Sequence, residues 1–171
     1  KKRIRSLVVV ASNEERQKFL TLAAEEGVQA LSYSESITPR ECARRFRDGE
    51  GEVLVGTDSN YGEGVDLPKG TAPVIFYYRP SYPRPDDPAT VFEERRFGNQ
   101  RWQVWNWRVI IGLLQVRGRN IRSIEDVGVT FLISQQFRRF AFGSLPEWLK
   151  PAYVGDKTFV ECVEETVKML T

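Results

Sequence analysis

Apolar residues in this chain form short unbroken runs, separated by stretches where they recur every three or four positions. The two patterns alternate from one end of the sequence to the other. Ile4 to Ala11 is apolar and rich in β-branched residues, the length and type of a strand buried on both faces. Ser12-Asn13 then offer an N-cap, and Glu14-Glu15 suit the positive end of a helix that carries Phe19, Leu20 and Ala23-Ala24 inward. Gly27 ends that helix, and Val28 to Leu31 starts a second strand. Thr38-Pro39 pairs a cap with a proline at the first helical position, opening a helix that runs to about Asp48-Gly49. Glu52 to Thr57, Val74 to Tyr78 and Val127 to Ile133 read as three further strands. Trp102 to Leu114 and Lys157 to Leu170 read as helices. Trp102 and Trp105 sit three apart on the first of these, so packing into the core is the expected role of the tryptophan cluster with Trp107, ahead of base stacking. The proline-rich stretch from Arg79 to Pro88 reads as a stiff, extended surface connection.

Strands alternating with helices, several of them apolar on both faces, predict an α/β fold: a mostly parallel sheet with helices on both sides. In such sheets ligands sit beyond the carboxyl ends of the strands, which draws attention to Ser12 and to the loop after Thr57. That loop, Gly56-Thr57-Asp58-Ser59-Asn60-Tyr61-Gly62-Glu63-Gly64-Val65-Asp66-Leu67-Pro68, offers backbone amides, hydroxyls and carboxylates. Amides and a hydroxyl suit a nucleic-acid phosphate; a carboxylate suits a ribose hydroxyl or an arginine. Read alone, the same loop is equally well a tight turn that needs its glycines for positive φ.

A second segment, Gln115-Val116-Arg117-Gly118-Arg119-Asn120-Ile121-Arg122, sets Arg119 and Arg122 three residues apart at the expected start of a strand. A guanidinium stays charged and matches a phosphate with two parallel hydrogen bonds. Two of them beside a glycine fit a polyanion such as a nucleoside triphosphate, while an isolated pair of this kind is more often a solvated basic loop.

Composition narrows the field. The chain has 171 residues, 41% hydrophobic and 28% charged, with a net charge of +2 that is too small to argue nucleic-acid binding by itself. No apolar run is long enough to span a bilayer. Histidine is absent, which removes the commonest general base and metal ligand, and the two cysteines, Cys42 and Cys162, have no partner at metal-ligand spacing. No metal site is expected, and the reduced thiols suit an intracellular protein. The chain opens Lys1-Lys2-Arg3 without Met and enters a strand almost at once, as a piece of a larger protein would.

Taken together, the two segments resemble a known family. G-T-D-S-N-Y-G-E-G-V-D-L-P is similar to motif V of the DinG/XPD-like branch of superfamily-two helicases, usually G-T-x-S-F-W-E-G-V-D-x-P. Q-V-R-G-R-N-I-R-S, followed by Asp126 and Gly128, resembles motif VI. Pro80-Ser81-Tyr82-Pro83-Arg84-Pro85-Asp86-Asp87-Pro88 and Leu145-Pro146-Glu147-Trp148-Leu149 are similar to elements of the same branch, and the first strand with Ser12 fits motif IV. Two departures stand out: Tyr61-Gly62 replaces Phe-Trp with a spacing that differs by about one residue, and Arg117 adds a cation within motif VI.

The resemblance implies that residues 1–171 are a second RecA-like domain, a three-layer sandwich forming the C-terminal half of a two-domain motor. It implies that ATP and Mg2+ are held mainly by a first RecA-like domain. Arg119 and Arg122 would then reach the γ-phosphate, with Gln115 and Gly118 shaping that interface and Gly64 and Asp66 facing the nucleotide. Ser12 and Thr57 would touch the backbone of single-stranded nucleic acid, DNA by family expectation. The sequence holds no G-x-x-x-x-G-K-[ST] loop and no D-E-x-[HD] box, so these residues alone are expected not to hydrolyse ATP. The alternative is a non-catalytic module that grips nucleic acid or protein.

Overall fold

The computed structural model describes residues 4–62, 67–68, 70–121 and 123–171; within these, the side chains of 138–142 are set aside. Five parallel strands form one sheet: β1 (Ser6–Val10), β2 (Ala30–Ser32), β3 (Val53–Thr57), β4 (Val74–Tyr77) and β5 (Val129–Leu132), in the order β2-β3-β1-β4-β5. The helices are α1 (Asn13–Glu25), α2 (Pro39–Arg47), α3 (Pro88–Phe97), α4 (Arg101–Arg117), α5 (Gln135–Ser144) and α6 (Phe159–Leu170).

Alternation along the strands sends side chains to two separate cores. Leu7, Val9, Leu54, Ile75 and Tyr77 face α2, α4 and α5, packing on Phe46, Val109, Ile110, Leu113 and Phe137. Val8, Val10 and Val55 face the other way, onto Phe19 and Leu20 of α1. On that second face Phe76 stacks on Phe131, which meets Phe159 of α6. Both faces are covered, which explains why the strands read as continuous apolar runs and confirms the three-layer expectation.

Helix ends follow the local chemistry. Ser12 and Thr38 cap α1 and α2 by accepting from Glu15 N and Glu41 N. Gly27 and Gly49 both take positive φ, +67° and +107°. Each closes its helix with paired backbone bonds: Val28 N to Ala23 O with Gly27 N to Ala24 O, and Glu50 N to Arg45 O with Gly49 N to Phe46 O.

Three expectations need correction. The proline-rich connection ends at Asp87, not beyond it: Asp87 caps α3 by accepting from Ala89 N, and Pro88 is the first helical residue. The tryptophans do not share one environment, because Trp105 is buried at 6% exposure while Trp102 and Trp107 are 54% and 67% exposed. The arginine segment does not start a strand either. α4 runs through Arg117, and β5 begins only at Val129.

Candidate nucleotide and nucleic-acid interface

At the carboxyl edge of the sheet, Ser12 follows β1, Tyr33 follows β2, and Thr57 ends β3. The Ser12 hydroxyl is occupied as the α1 cap, 3.2 Å from Glu15 N. Glu15 bonds the Ala11 amide at 2.9 Å and receives Arg79 at 2.5 Å, tying the ends of β1 and β4 together. Thr57 is only 5% exposed. Its hydroxyl bonds Tyr33 Oη, Ser59 Oγ and Asn60 Nδ2, each at 3.0 Å. Tyr33 gives its single hydrogen to Asn13 Oδ1 at 3.1 Å, so Thr57 must donate to Tyr33 and accept from Ser59 and Asn60. The hydrogens thus all point one way along a chain from Ser59 to Asn13.

A buried cation stands behind this chain. Arg16 is 7% exposed and bonds Asn13 Oδ1 at 3.1 Å, Ser32 Oγ at 2.9 Å and the Tyr33 carbonyl at 2.8 Å. Its guanidinium also lies 4.2 Å from the centre of the Tyr33 ring. Every recorded partner is neutral. Asn13, Arg16, Tyr33, Ser59 and Asn60 are not singled out by the sequence patterns; only the i,i+3 spacing of Asn13 and Arg16 on α1 hints at two of them. Ser59 and Asn13 are exposed, so the rim of this network is accessible while Thr57 lies within it.

The loop after β3 departs from an α-helical path. Asp58–Gly62 forms a π-helical turn, whose i→i+5 bonding holds one residue more per turn than an α-helix. In sequence the loop is one residue longer than G-T-x-S-F-W-E-G-V-D. Tyr61 is fully buried against Gly56, with its hydroxyl donating to the Pro39 carbonyl at 3.2 Å. Gly56 is needed for that close approach and not for positive φ.

Between this loop and α4 lies a cleft of about 420 Å³ lined by Ala11, Asp58, Ser59, Ser81, Gly112 and Gln115. Tyr77 donates to the Asp58 carboxylate at 3.0 Å across its floor. Burial, then the Asp58 charge, push the Tyr77 phenol above its ordinary value. The cleft sits beyond the carboxyl ends of β1, β3 and β4, where the chain switches from one side of β1 to the other. It brings Gln115, from the arginine segment, to the loop that follows β3.

Below Gln115 the chain descends to the opposite end of the sheet. Gly118 closes α4 with helical dihedrals, φ −62° and ψ −4°, and a Cβ there would lie 3.3 Å from its own helix's Leu114 carbonyl. Arg119 follows in a turn, half-buried, its amide bonded to Val116 O at 3.0 Å. Asn120 is 8% exposed and donates to the Pro73 carbonyl at 3.0 Å and the Val129 carbonyl at 3.2 Å. Asp126 accepts from Ser123 N at 2.8 Å. Arg119 therefore stands at the amino ends of β4 and β5, away from Ser12 and Thr57. Arg117, two residues after Gln115, falls on a different face of α4 and lines a cavity of about 850 Å³ under α6. Arg122, Gly64 and Asp66 lie outside the described residues. Among the described residues no cluster of His, Cys, Asp and Glu could hold a metal ion, and no helix is long and apolar enough to cross a membrane.

A parallel three-layer sheet with a switch-point cleft between the β3 loop and α4 defines a RecA-like domain. The model of the helicase C-terminal domain family matches residues 1–152, and the chain belongs to that family. Among solved structures it is similar to an XPD protein in its apo form, at TM-score 0.66 and 17% identity over 82% of this chain and 30% of that one. S. tokodaii Xpd4 gives 0.58 and 16% over 86% of this chain and 30% of that one. The C-terminal domain of S. cerevisiae Dbp5 gives 0.50 and 17% over 99% and 85%. The chain thus spans about 30% of the XPD proteins it matches.

Proposed function

We propose that this chain is the C-terminal motor lobe of an ATP-dependent DNA helicase of the DinG/XPD kind. A first RecA-like domain of the same protein would hold ATP and Mg2+, and this lobe would complete the site. The observation that carries the reading is the tethered arginine turn: Arg119 sits half-buried in a turn that Asn120 pins at two points. ATP, when bound between the lobes, supplies phosphoryl transfer. Arg119 would present positive charge to it, and by the family resemblance Arg122 would act with Arg119 while Gly64 and Asp66 would face the nucleotide; Gln115 lines the cleft beside the β3 loop.

Single-stranded nucleic acid would lie along the carboxyl edge, with exposed Ser59 and Asn13 beside Ser12, and Thr57 orienting them from within. Because the arginine turn and this rim occupy different ends of one rigid sheet, closing the lobes on ATP would move the rim as a unit. That is the coupling a translocating motor requires. The setting would be intracellular.

The experiment is Arg122→Ala and Arg119→Ala in a protein carrying both lobes. Strand-stimulated ATP hydrolysis is expected to fall by about 10³–10⁵ for the finger residue, with oligonucleotide affinity retained. The 171-residue chain alone is expected to show no turnover. A non-catalytic gripping module is the competing reading, and it requires ATP hydrolysis to be absent or indifferent to both substitutions.

A further inference from the structure

We propose that the projecting α3–α4 corner is a base-stacking platform for single-stranded nucleic acid, built on Trp102 and Phe97 and electrostatically supported by Arg95 and Arg96. This rests on the helicase reading for its direction, but the surface itself is read from the chain. Gly112 of α4 lies beside Asp58 at the carboxyl edge, and the helix continues down to the Asn120 tether at the amino edge. Trp102 is ten residues earlier, so at 1.5 Å per residue it stands about 15 Å further out. The amino half of α4, with α3 against it, thus projects over the same edge that carries Ser59 and Asn13.

Beyond buried Trp105 and Val109, that half and α3 carry several exposed aromatic residues. Among the described residues, six of the eight exposed large aromatics fall between Tyr78 and Trp107. Phe92, Trp102 and Trp107 are 61%, 54% and 67% exposed, more than isolated surface aromatics in a domain otherwise well packed would require. Trp102 meets buried Trp105 edge-on, with ring centres 4.9 Å apart, a contact that favours one orientation of the exposed ring.

Charge selects the occupant. Residues 88–108, the corner itself, contain four Arg and two Glu, a net of +2 that equals the net charge of the whole chain, so everything else sums to zero. Glu93 pairs with Arg108, and Glu94 with Arg101 at 2.6 Å. Arg95 and Arg96 are exposed and have no recorded carboxylate partner. They lie three and four residues after Phe92, on one outward face of α3. Arg96 and Arg101 also lie 5.9 and 5.5 Å from the Phe97 and Trp102 ring centres. Flat apolar rings interleaved with unneutralised guanidinium groups match bases joined by phosphates.

The test compares fluorescein-labelled oligothymidylate with an abasic oligomer of equal length, using anisotropy on the full chain. The abasic oligomer offers the same phosphates without bases. The unmodified chain is expected to prefer oligothymidylate. Trp102→Ala should weaken it by about 5- to 150-fold and remove the preference, while Trp102→Phe keeps most of it. Arg95→Ala with Arg96→Ala should lower the salt slope by about 1.4 and leave the preference intact. Thermal melts of each variant, expected to match the parent at so exposed a position, separate loss of the surface from loss of the fold. Equal binding of both oligomers, or Trp102→Ala behaving as the parent while Ser59→Ala weakens binding, overturns the platform and leaves the helicase reading standing. If this corner instead meets a protein, oligomers will bind at the carboxyl rim alone, without preference for bases and unaffected by Trp102→Ala; that too overturns the platform, and the arginine substitutions in the two-lobe protein decide the motor question separately.

Discussion

Gly128 and Asn120 occupy one another's space: a Cβ built on Gly128 would stand 2.6 Å from Asn120 Nδ2. That nitrogen is the one that reaches the Pro73 and Val129 carbonyls, so the glycine is the condition for the tether. Gly128→Ala must push the amide aside or bend β5, and either breaks the pin on the arginine turn. Loss of two neutral hydrogen bonds in a buried setting is expected to cost about 1–3 kcal/mol, read as a shift in the urea midpoint. In a two-lobe protein the same variant should lower strand-stimulated ATP hydrolysis by more than the stability loss explains. Asn120→Ala, which frees the turn without crowding the strand, should reproduce the activity loss. An Asn120→Ala protein with parental turnover would sink the tether as a functional device.

Gly56 carries a second steric condition. A Cβ there would stand 2.1 Å from the Tyr61 ring, and the obstacle is a fully buried aromatic side chain with nowhere to move. Gly56→Ala should therefore displace Tyr61 and unseat the π-helical turn that presents Ser59 and Asn60. The expected cost is about 1–3 kcal/mol, typical of overpacking a core. The double variant with Tyr61→Ala relieves the clash and should recover part of that loss beyond additivity. Simple addition of the two single effects in a urea-unfolding cycle would show that they do not share this contact.

These glycines also show how far the chain can be read without coordinates. The strands are legible because helices cover both faces of the sheet and make each run apolar throughout. The string Gly56-Thr57 is legible too, but not its reason, since nothing in the sequence says that the Tyr61 ring, five residues on, folds back against Gly56. α3 is hidden because Asp87-Pro88 reads equally well as the end of an extended proline segment or as cap and first turn. Only the bond from Ala89 N decides it. Spacing alone sets Trp102 and Trp105 on one helix face, yet only Trp105 is buried, and Trp102 stays exposed. Arg16 carries no local sign of its role, because its partners Ser32 and Tyr33 come from another strand.

Alkaline pH should act through the two buried phenols. Burial, reinforced by Asp58, raises the Tyr77 pKa above 10.0; burial, reinforced by a hydrogen bond with Cys42, does the same for Tyr61. The unfolded chain releases these protons near pH 10 while the folded chain retains them. Their contribution is thus complete below about pH 10 and is lost as pH rises past it. Urea midpoints are expected to hold steady at neutral to mildly alkaline pH and to fall steeply above pH 10. Tyr77→Phe should flatten part of that fall while lowering the neutral-pH midpoint, because Asp58 loses its donor. A fall of unchanged steepness in Tyr77→Phe would assign the effect elsewhere.

Arg16 offers the most direct check on the carboxyl edge. Its fork holds Asn13, Ser32 and the Tyr33 carbonyl at once, and no carboxylate shares the load. Arg16→Met keeps much of the stem's packing but strands three acceptors, and about 2–3 kcal/mol of stability is expected to go with them. Arg16→Lys should rescue little: an ammonium keeps the charge but cannot reproduce a planar fork that joins Asn13 of α1 to Ser32 and Tyr33 at the end of β2 and stacks on the Tyr33 ring. The consequence extends past stability, because Tyr33 is what Thr57 donates to, and Thr57 is what orients Ser59 and Asn60. Oligonucleotide binding should therefore weaken in both variants under conditions where each remains folded, and it should weaken to a similar degree, since geometry and not charge is what both have lost. If Arg16→Lys instead restored binding in full, the guanidinium would matter only as a positive charge, and the directed chain of hydrogens from Ser59 to Asn13 would have no part in holding the strand.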